Sequence, residues 1–343
     1  MFHRRKWLLA AACIVVGSWT SSATLAADKT YPSFGKIERL DPRFDKLIPK
    51  DALLEKLGEG FDWSEGPVWD KQKECLLFSD IPPNKVMRWK DGEGVTLFLQ
   101  PAGYTGSKPR AGEPGSNGLL FDSEGRLVLL QHGDRRIARL KADKTFETLA
   151  DRYEGKRFNS PNDATFKSNG DLYFTDPPYG LEGLNKDPAK EIPFNGVYRL
   201  AKDGKVTLLT KEMTFPNGIA FSPDEKTLYV AQSDPAQPIW RAFEVKVDGT
   251  LGASRVFADN SAAVKAGKKG LPDGLKVDKD GNVFATGAGG VLVFATDGTH
   301  LGTIDSGEAT ANCNWGEDGS TLFLACDMYL GRVKTTTKAP AKK

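Results

Sequence analysis

One stretch of this sequence decides the fold, because it spells a strand, a polar turn and a second strand: Asn217-Gly218-Ile219-Ala220-Phe221-Ser222-Pro223-Asp224-Glu225-Lys226-Thr227-Leu228-Tyr229-Val230. The same spelling recurs along the chain at intervals of about 40 to 55 residues, the size of one β-module in a repeat protein. The other repeats open at Glu65-Gly66, Asn117-Gly118, Asn162-Asp163, Asp273-Gly274 and Ala311. The sequence therefore predicts an all-β protein, a six-bladed β-propeller with a short N-terminal extension.

The first residue of each repeat, here called the lead residue, predicts a metal site. In a propeller the first strand of every blade lines the central channel, so equivalent residues of different blades meet at one mouth. A single Asn-Gly or Asp-Gly is a generic turn dipeptide, but its recurrence ahead of an apolar strand favours a site. The lead residues offer carboxylate and amide oxygens, which Ca²⁺ prefers, whereas zinc sites favour His and Cys. We therefore expect Ca²⁺, with Zn²⁺, Mn²⁺ or Mg²⁺ as possible substitutes, on a ring formed by Glu65, Asn117, Asn162, Asn217 and Asp273.

The ends of the second strands form a second set of polar residues. In an antiparallel hairpin the end of the second strand lies beside the start of the first, so these residues belong near the same mouth. They either line the site or accept hydrogen bonds from loop backbone, as Asp commonly does at turns. The polar members are Asp80, His132, Asp176, Ser233 and Asp327.

Several motifs together resemble the senescence-marker-protein (regucalcin), gluconolactonase and luciferin-regenerating-enzyme family. They are residues 63–69 (WSEGPVW), 159–163 (NSPND), 174–180 (FTDPPYG), 215–218 (FPNG) and 271–274 (LPDG). The resemblance extends from about residue 53 to residue 333, and it is strongest to the bacterial gluconolactonase-like branch.

The resemblance implies a calcium-dependent lactonase. It implies that Glu65, Asn217 and Asp273 bind one divalent metal and that Asn162 contacts either this metal or the substrate. The fold and the metal site are shared by enzymes of other specificity, so the resemblance leaves the substrate open. The alternatives are a metal-dependent organophosphate hydrolase on the same site and a non-enzymatic calcium-binding propeller.

The expected reaction is hydrolysis of a sugar lactone, in which the metal polarises the ring carbonyl and orders the attacking water. Asp273 is the first candidate for the general base, and His132 is the alternative. The sequence has no Gly-x-Ser-x-Gly motif, which disfavours a serine hydrolase. Substrate contacts are expected from Asn117, Asn162, Arg135, Asp176 and Tyr179, although Asn117 could instead hold its own loop and Arg135 could be solvated.

The net charge and the N-terminal segment indicate which partners and which cellular location to expect. The 47 basic and 45 acidic side chains nearly cancel, so there is no field to attract nucleic acid. Residues 1–27 combine His3-Arg4-Arg5-Lys6 with the apolar run Trp7 to Val16, which is typical of a secretory signal, and the Arg pair also resembles the twin-arginine pattern. We expect a periplasmic or secreted protein with no membrane segment after cleavage; an uncleaved anchor is the alternative.

The remaining boundaries follow from composition. Residues 28–56 are expected to form the N-terminal extension, with a helix-forming run at 51–57, and residues 57–334 the propeller. Residues 335–343 lack apolar content and are expected to be disordered. The loop at 103–115 is long for a hairpin connection and is a candidate lid. The sequence leaves the oligomeric state open.

Overall fold

The computed structural model describes residues 30–108 and 110–341, and these form an almost entirely β structure. The expected secretory signal lies outside the described residues. The helices among the described residues are short: two 3₁₀ turns at Pro42–Lys46 and Leu184–Lys186, and one α-helical turn at Ser261–Lys265. None of these helices is long and apolar enough to cross a membrane.

Six antiparallel sheets follow one another around the molecule, which confirms the six-bladed propeller. Within blades one to five, strands that are consecutive in the sequence pair with each other from the inner to the outer position. Blade one consists of Ser64–Asp70, Cys75–Asp80, Lys85–Lys90 and Gly94–Leu99, and blade two consists of Ser116–Phe121, Leu127–Gln131, Arg136–Leu140 and Phe146–Ala150. Blade three consists of Ala164–Phe166, Leu172–Asp176, Gly196–Leu200 and Val206–Thr210, and blade four consists of Pro216–Phe221, Thr227–Asp234, Gln237–Val245 and Leu251–Asp259. Blade five consists of Leu275–Val277, Val283–Gly287, Gly290–Phe294 and His300–Asp305. A small hairpin, Arg152–Tyr153 with Lys156–Arg157, connects blades two and three.

Blade six closes the ring with strands from both ends of the chain. Its first three strands are Asn312–Gly316, Thr321–Cys326 and Tyr329–Lys334, and its outer strand is Leu54–Glu59, which pairs antiparallel with Tyr329–Lys334. The helix-forming run expected at 51–57 is therefore a strand from Leu54 onward. The open edge of Tyr329–Lys334 offers unpaired backbone groups, and pairing with them outweighs a weak local propensity.

The N-terminal extension packs on blade five. Lys36–Arg39 adds a fifth strand beside His300–Asp305, with Lys36 opposite Asp305. Asp41 caps the following 3₁₀ turn by accepting a hydrogen bond from the Arg43 backbone N–H. The buried Phe44 of that turn joins the apolar cluster between blades five and six.

Apolar side chains fill the spaces between neighbouring blades. Between blades two and three, for example, Val128 and Leu130 pack with Phe174 and Tyr198, whose rings stack with centroids 5.3 Å apart. Because each blade is buried on both faces, its second strand is a nearly continuous apolar run, as in Leu127–Gln131 and Thr321–Cys326.

The C-terminal residues differ from the expected disorder. The Thr337 hydroxyl donates to Asp278 Oδ2 at 2.7 Å, and the carbonyl of Lys338 accepts from the Lys279 backbone N–H. The Thr336 N–H donates to Leu47 O at 2.9 Å. Residues 335–339 therefore tie blade six to blade five and to the N-terminal extension. The composition did not predict this order because backbone and hydroxyl hydrogen bonds hold most of the segment, and only Ala339 packs against an apolar cluster.

We expect truncation after Lys334 to lower the free energy of unfolding by about 2 to 4 kcal/mol, since it removes several hydrogen bonds worth about 1 kcal/mol each. Truncation after Ala339 is the control and should change it by less than about 0.5 kcal/mol. Urea unfolding of the two truncated proteins measures the difference. Equal stabilities would show that the tail contributes nothing.

Candidate metal and active site

The structure brings the six lead positions together at one mouth of the channel. A cavity of about 370 Å³ is lined by all of them, one from each blade. Glu65, Asn117 and Asn217 lie near the start of their inner strands, and Asn162 and Asp273 lie two residues before theirs. The further lining residues are Trp63, Glu113, Tyr179, Ser233, Gly270, Leu271, Ala309 and Thr310.

The glycine after the lead residue has a specific reason to be glycine. A Cβ on Gly66 would lie 2.2 Å from the carbonyl oxygen of Asn117, the lead residue of the next blade. A Cβ on Gly218 would lie 2.2 Å from Asp273 O in the same way. Adjacent blades therefore approach each other backbone to backbone at this point, and any side chain would hold them apart. The recurring dipeptide is a contact between blades and not a generic turn.

Hydrogen bonds fasten the same contact. The backbone N–H of Gly118 donates to Asn162 O, and that of Gly274 donates to Ala311 O, both at 2.8 Å. In alternate blades a hydroxyl of the second strand donates to the lead carbonyl of the next blade: Ser79 to Asn117 O, Thr175 to Asn217 O and Thr286 to Ala311 O, at 2.7 to 2.9 Å. The lead residues are thus held by backbone contacts, which leaves their side chains free for the cavity.

Four side-chain oxygens of the ring are buried and have no hydrogen-bond partner among the described residues. They are the Oδ1 atoms of Asn117, Asn162, Asn217 and Asp273. A buried acceptor left without a partner costs about 1 to 3 kcal/mol, so four at one place call for a ligand that satisfies them together. The orientation of Asn217 is fixed because its Nδ2 donates to Ser233 Oγ at 2.8 Å.

Glu65 is held by a residue that the sequence did not single out. Its Oε2 accepts hydrogen bonds from the Gly66 backbone N–H at 2.5 Å and from Asn312 Nδ2 at 2.9 Å. Asn312 follows Ala311, the lead position that departs from the oxygen-bearing pattern. The sixth blade therefore contributes an amide that orients Glu65. The sequence signal for this role was the Asn directly after the lead position of the sixth repeat.

The carboxyl groups of the ring are strongly perturbed. Burial raises the pKa of Glu65 to about 8, and the Asp163 carboxylate adds to the rise. Burial and the charges of Glu65, Asp163 and Glu113 raise the pKa of Asp273 well above its usual range. The ionised forms of these crowded, buried carboxyl groups are thus disfavoured on their own, and a bound cation would stabilise them.

The donor set fits a hard divalent cation. Two carboxylates and three amide oxygens surround one cavity, and these are the ligand types that Ca²⁺ takes. Within residues 30–108 and 110–341, no group of three His, Cys, Asp or Glu side chains is arranged as metal ligands. The ring itself has two carboxylates, and its other oxygens belong to amides. A site for zinc with nitrogen or sulfur ligands does not match these residues.

His132 is buried beside the site. It has no exposed surface, and its Nδ1 lies 2.9 Å from Glu113 Oε2. Its Nε2 lies 3.5 Å from Asn162 Nδ2. His132 thus contacts two cavity-lining side chains but is enclosed by them, so any effect it has on a substrate passes through these neighbours.

Arg135 and Asp176 bind backbone groups of neighbouring loops. The Arg135 side chain donates to the carbonyl oxygens of Phe158, Asn159 and Ala189 at 2.6 to 3.1 Å. Asp176 accepts from the backbone N–H groups of Asn159 and Ser160, each at 2.8 Å. Neither side chain lines the cavity, so the structure gives no support to a substrate contact by either. Asp176 matches the loop-holding alternative, whereas Arg135 is buried among loop carbonyls and is not solvated.

Asp80 repeats this arrangement in blade one. Its Oδ1 accepts from the backbone N–H groups of Asp62 and Trp63 at 3.0 and 3.1 Å. Tyr179, in contrast, does line the cavity, and its ring stacks on Phe215 with centroids 5.9 Å apart. Burial raises the pKa of the Tyr179 hydroxyl, which therefore stays protonated as a hydrogen-bond donor.

Residues 63–326 match the model of the SMP-30/Gluconolactonase/LRE-like region. The chain belongs to this family. The gluconolactonase of Zymomonas mobilis subsp. mobilis is 39% identical over 97% of this chain and 98% of its own length. A solved structure of a gluconolactonase from Xanthomonas campestris has a TM-score of 0.78 and 32% identity, covering 91% of this chain and 99% of that chain. The diisopropyl-fluorophosphatase of Loligo vulgaris is 24% identical over 72% of this chain and 80% of its own length.

The burial of Asp176 generates a prediction for stability. Burial raises the pKa of this carboxyl to about 7 in the folded protein, against an ordinary value of 3.8. A raised pKa means that its contribution to stability is fully present below about pH 4 and is lost as the pH rises through about 7. We therefore expect the free energy of unfolding of the wild type to fall, relative to Asp176→Asn, by on the order of a few kcal/mol between pH 4 and pH 7.

The control is Asp318→Asn, since hydrogen bonds from Lys338 and Ser320 lower the pKa of the exposed Asp318. Because the pKa of Asp318 is lowered, the wild type should gain stability relative to Asp318→Asn as the pH rises. Urea unfolding at several pH values measures both differences, and a pH-independent difference for Asp176→Asn would contradict the assignment.

Proposed function

We propose that this protein is a calcium-dependent lactonase of the gluconolactonase type, which hydrolyses a sugar lactone. The observation that carries the proposal is the cluster of unpartnered lead oxygens in a 370 Å³ cavity. It occurs in a chain that resembles a gluconolactonase over 97% of its length. The lactone-hydrolysing class follows from this similarity, whereas the metal, the particular lactone and export are proposals.

Glu65, Asn162, Asn217 and Asp273 would hold the ion. When bound, Ca²⁺ supplies a positive charge that polarises the lactone carbonyl and stabilises the oxyanion that develops there. Asn117, whose Oδ1 is also free, is left to contact the substrate. Zn²⁺, Mn²⁺ and Mg²⁺ remain possible substitutes, because amide and carboxylate oxygens accept each of them.

Asp273 is the proposed general base. Its buried Oδ1 would face the ion, and a carboxylate that holds an ion through one oxygen can offer its other oxygen to accept the proton of the attacking water. The water oxygen bonds to the carbonyl carbon, the bond from that carbon to the ring oxygen breaks, and the proton passes to the ring oxygen. His132 is enclosed and lies in contact with Glu113, which makes Asp273 the better candidate.

A second function on the same site is organophosphate hydrolysis. The similarity to the diisopropyl-fluorophosphatase of Loligo vulgaris supports this alternative, since the same cation could face a phosphoryl oxygen. A non-enzymatic calcium-binding propeller is the third possibility. The cavity of about 370 Å³ beside the lead oxygens favours an enzyme over that module, because a purely structural ion needs no space for a substrate. Export rests on residues 1–27 alone and would be tested by the mass of the mature chain.

We expect the protein to bind one Ca²⁺ per chain. Glu65→Gln and Asp273→Asn should each weaken the affinity at least about tenfold, because each removes a charged ligand whose bond to a cation is worth more than about 1.4 kcal/mol. Isothermal titration calorimetry measures the affinity. Asp318→Asn, which neutralises an exposed carboxylate in a turn of blade six, is the control and should bind as the wild type does. Unchanged affinity in both ring variants would refute the site.

The purified protein should open a sugar δ- or γ-lactone such as gluconolactone, and a chelator should abolish this activity until Ca²⁺, Mn²⁺ or Zn²⁺ is restored. At saturating Ca²⁺, Asp273→Asn should lower kcat by about 100-fold or more, because it removes the proton acceptor while keeping an amide oxygen. A pH-stat assay of acid release measures the rate.

Three outcomes separate the alternatives. Turnover that survives complete metal removal would contradict the metal site. Hydrolysis of a fluorophosphate without opening of any aldonolactone would favour the organophosphate hydrolase. Bound metal with neither activity would favour the calcium-binding module.

A further inference from the structure

The cavity contains a third carboxylate that no sequence motif marks. Glu113 lies on the loop that connects Leu99 at the end of blade one with Ser116 at the start of blade two. Its side chain is 35% exposed and lines the same cavity as Glu65 and Asp273. The charge of Glu113 is one of the causes that raise the pKa of Asp273, so the two carboxylates face a common space.

A buried histidine lies against this carboxylate. Glu113 Oε2 lies 2.9 Å from His132 Nδ1, and the imidazole has no exposed surface. The backbone N–H of His132 donates to Gly115 O at 3.1 Å, which joins the end of the loop to the second strand of blade two. Glu113 Oε2 is therefore in close contact with the His132 ring, although Nδ1 is not aligned for a hydrogen bond, and Glu113 also lines the cavity.

Hydrogen bonds hold the described parts of the loop that carries Glu113 at residues 102–104 and 110–111. Asn84 Oδ1 accepts from the backbone N–H groups of residues 102–104 at 2.7 to 3.2 Å. The Arg110 guanidinium donates to the carbonyl oxygens of Gly133 and Gly180. The Ala111 N–H donates to Glu182 Oε1 at 3.0 Å. These contacts hold Glu113 in place before a ligand arrives, which lowers the ordering cost of binding.

We propose that Glu113, positioned by His132, is a substrate-binding residue that accepts hydrogen bonds from the hydroxyl groups of a polyhydroxylated ring. The inference rests on the proposed function in taking the ligand to be a sugar lactone. A fixed carboxylate with a free oxygen is an acceptor for hydroxyl donors, and a ring without hydroxyls would leave it unpaired. The same negative charge repels the carboxylate of the opened product and so favours its release.

The test compares Glu113→Gln with Glu124→Gln. Each substitution removes one negative charge, but Glu124 is exposed in a turn of blade two and takes no part in the cavity or in the loop that carries Glu113. Calorimetry with 1,5-anhydroglucitol, a polyol ring without an ester, measures binding independently of turnover, and tetrahydropyran is the ring without hydroxyls. We expect Glu113→Gln to weaken polyol binding and to raise KM for gluconolactone by about 10- to 100-fold. This is the change expected when one hydrogen bond to a charged group is lost. The Ca²⁺ affinity of Glu113→Gln should stay within about twofold of the wild type, and Glu124→Gln should match the wild type in all three measurements.

The role of His132 is tested through its partner. His132→Leu should weaken polyol binding to the same degree as Glu113→Gln, and the double variant should lose no more than either single variant. His132→Asn places an amide N–H near the position of Nδ1 and should recover most of the affinity. A merely structural histidine would instead give additive losses and no recovery with Asn. Thermal unfolding of each variant separates loss of binding from loss of fold.

The outcomes decide the inference. Polyol binding and KM that are unchanged in Glu113→Gln would overturn it, as would a wild type that binds the polyol no better than tetrahydropyran. A loss of Ca²⁺ affinity in Glu113→Gln as large as that of Asp273→Asn would make Glu113 a metal ligand and also overturn it. Polyol binding that depends on Glu113, in a protein that opens no lactone, would uphold the inference and refute the proposed function.

Discussion

The close contact between each inner-strand glycine and the lead carbonyl of the next blade is the constraint on which the rest of the structure depends. Because Gly66 and Gly218 have no Cβ, neighbouring inner strands approach until backbone meets backbone. Hydroxyls such as that of Thr175 then fasten the contact from the second strand. The spacing of the blades therefore sets the width of the ring of lead oxygens, and the cavity is a property of the backbone packing as much as of its side chains.

This constraint also explains which part of the site could be predicted from the sequence. Repetition converts equal positions in the sequence into neighbours in space, so the lead residues could be placed around one axis without any knowledge of the loops. Asn312 shows the limit of this reasoning. It lies one position after the sixth lead residue and supports Glu65 from the opposite end of the chain.

The residues whose roles the sequence left open or missed all depend on loops or chain ends. Asp80 and Asp176 occupy equivalent strand ends and both bind the backbone of the preceding loop, a role that the residue type alone cannot separate from substrate binding. Glu113 reaches the cavity from a connection whose path no periodicity specifies. Leu54–Glu59 becomes a strand only because the last blade has an open edge. In each case a partner distant in sequence decides the outcome.

The junction between the first and last blades, where Glu65 meets Asn312 (here called the seam), determines which part of the propeller forms last. Glu65 and Asn312, whose side chains meet across that seam, are 247 residues apart, and the outer strand of the last blade comes from the opposite end of the described chain. A ribosome delivers the C-terminal strands last, so the N-terminal strand waits through most of synthesis without its partner. Circularisation is therefore a late event, and the support of Glu65 by Asn312 is completed in the same step. A ligand bound by the lead residues would consequently stabilise the closed propeller, because it contacts residues on both sides of the junction between the first and last blades.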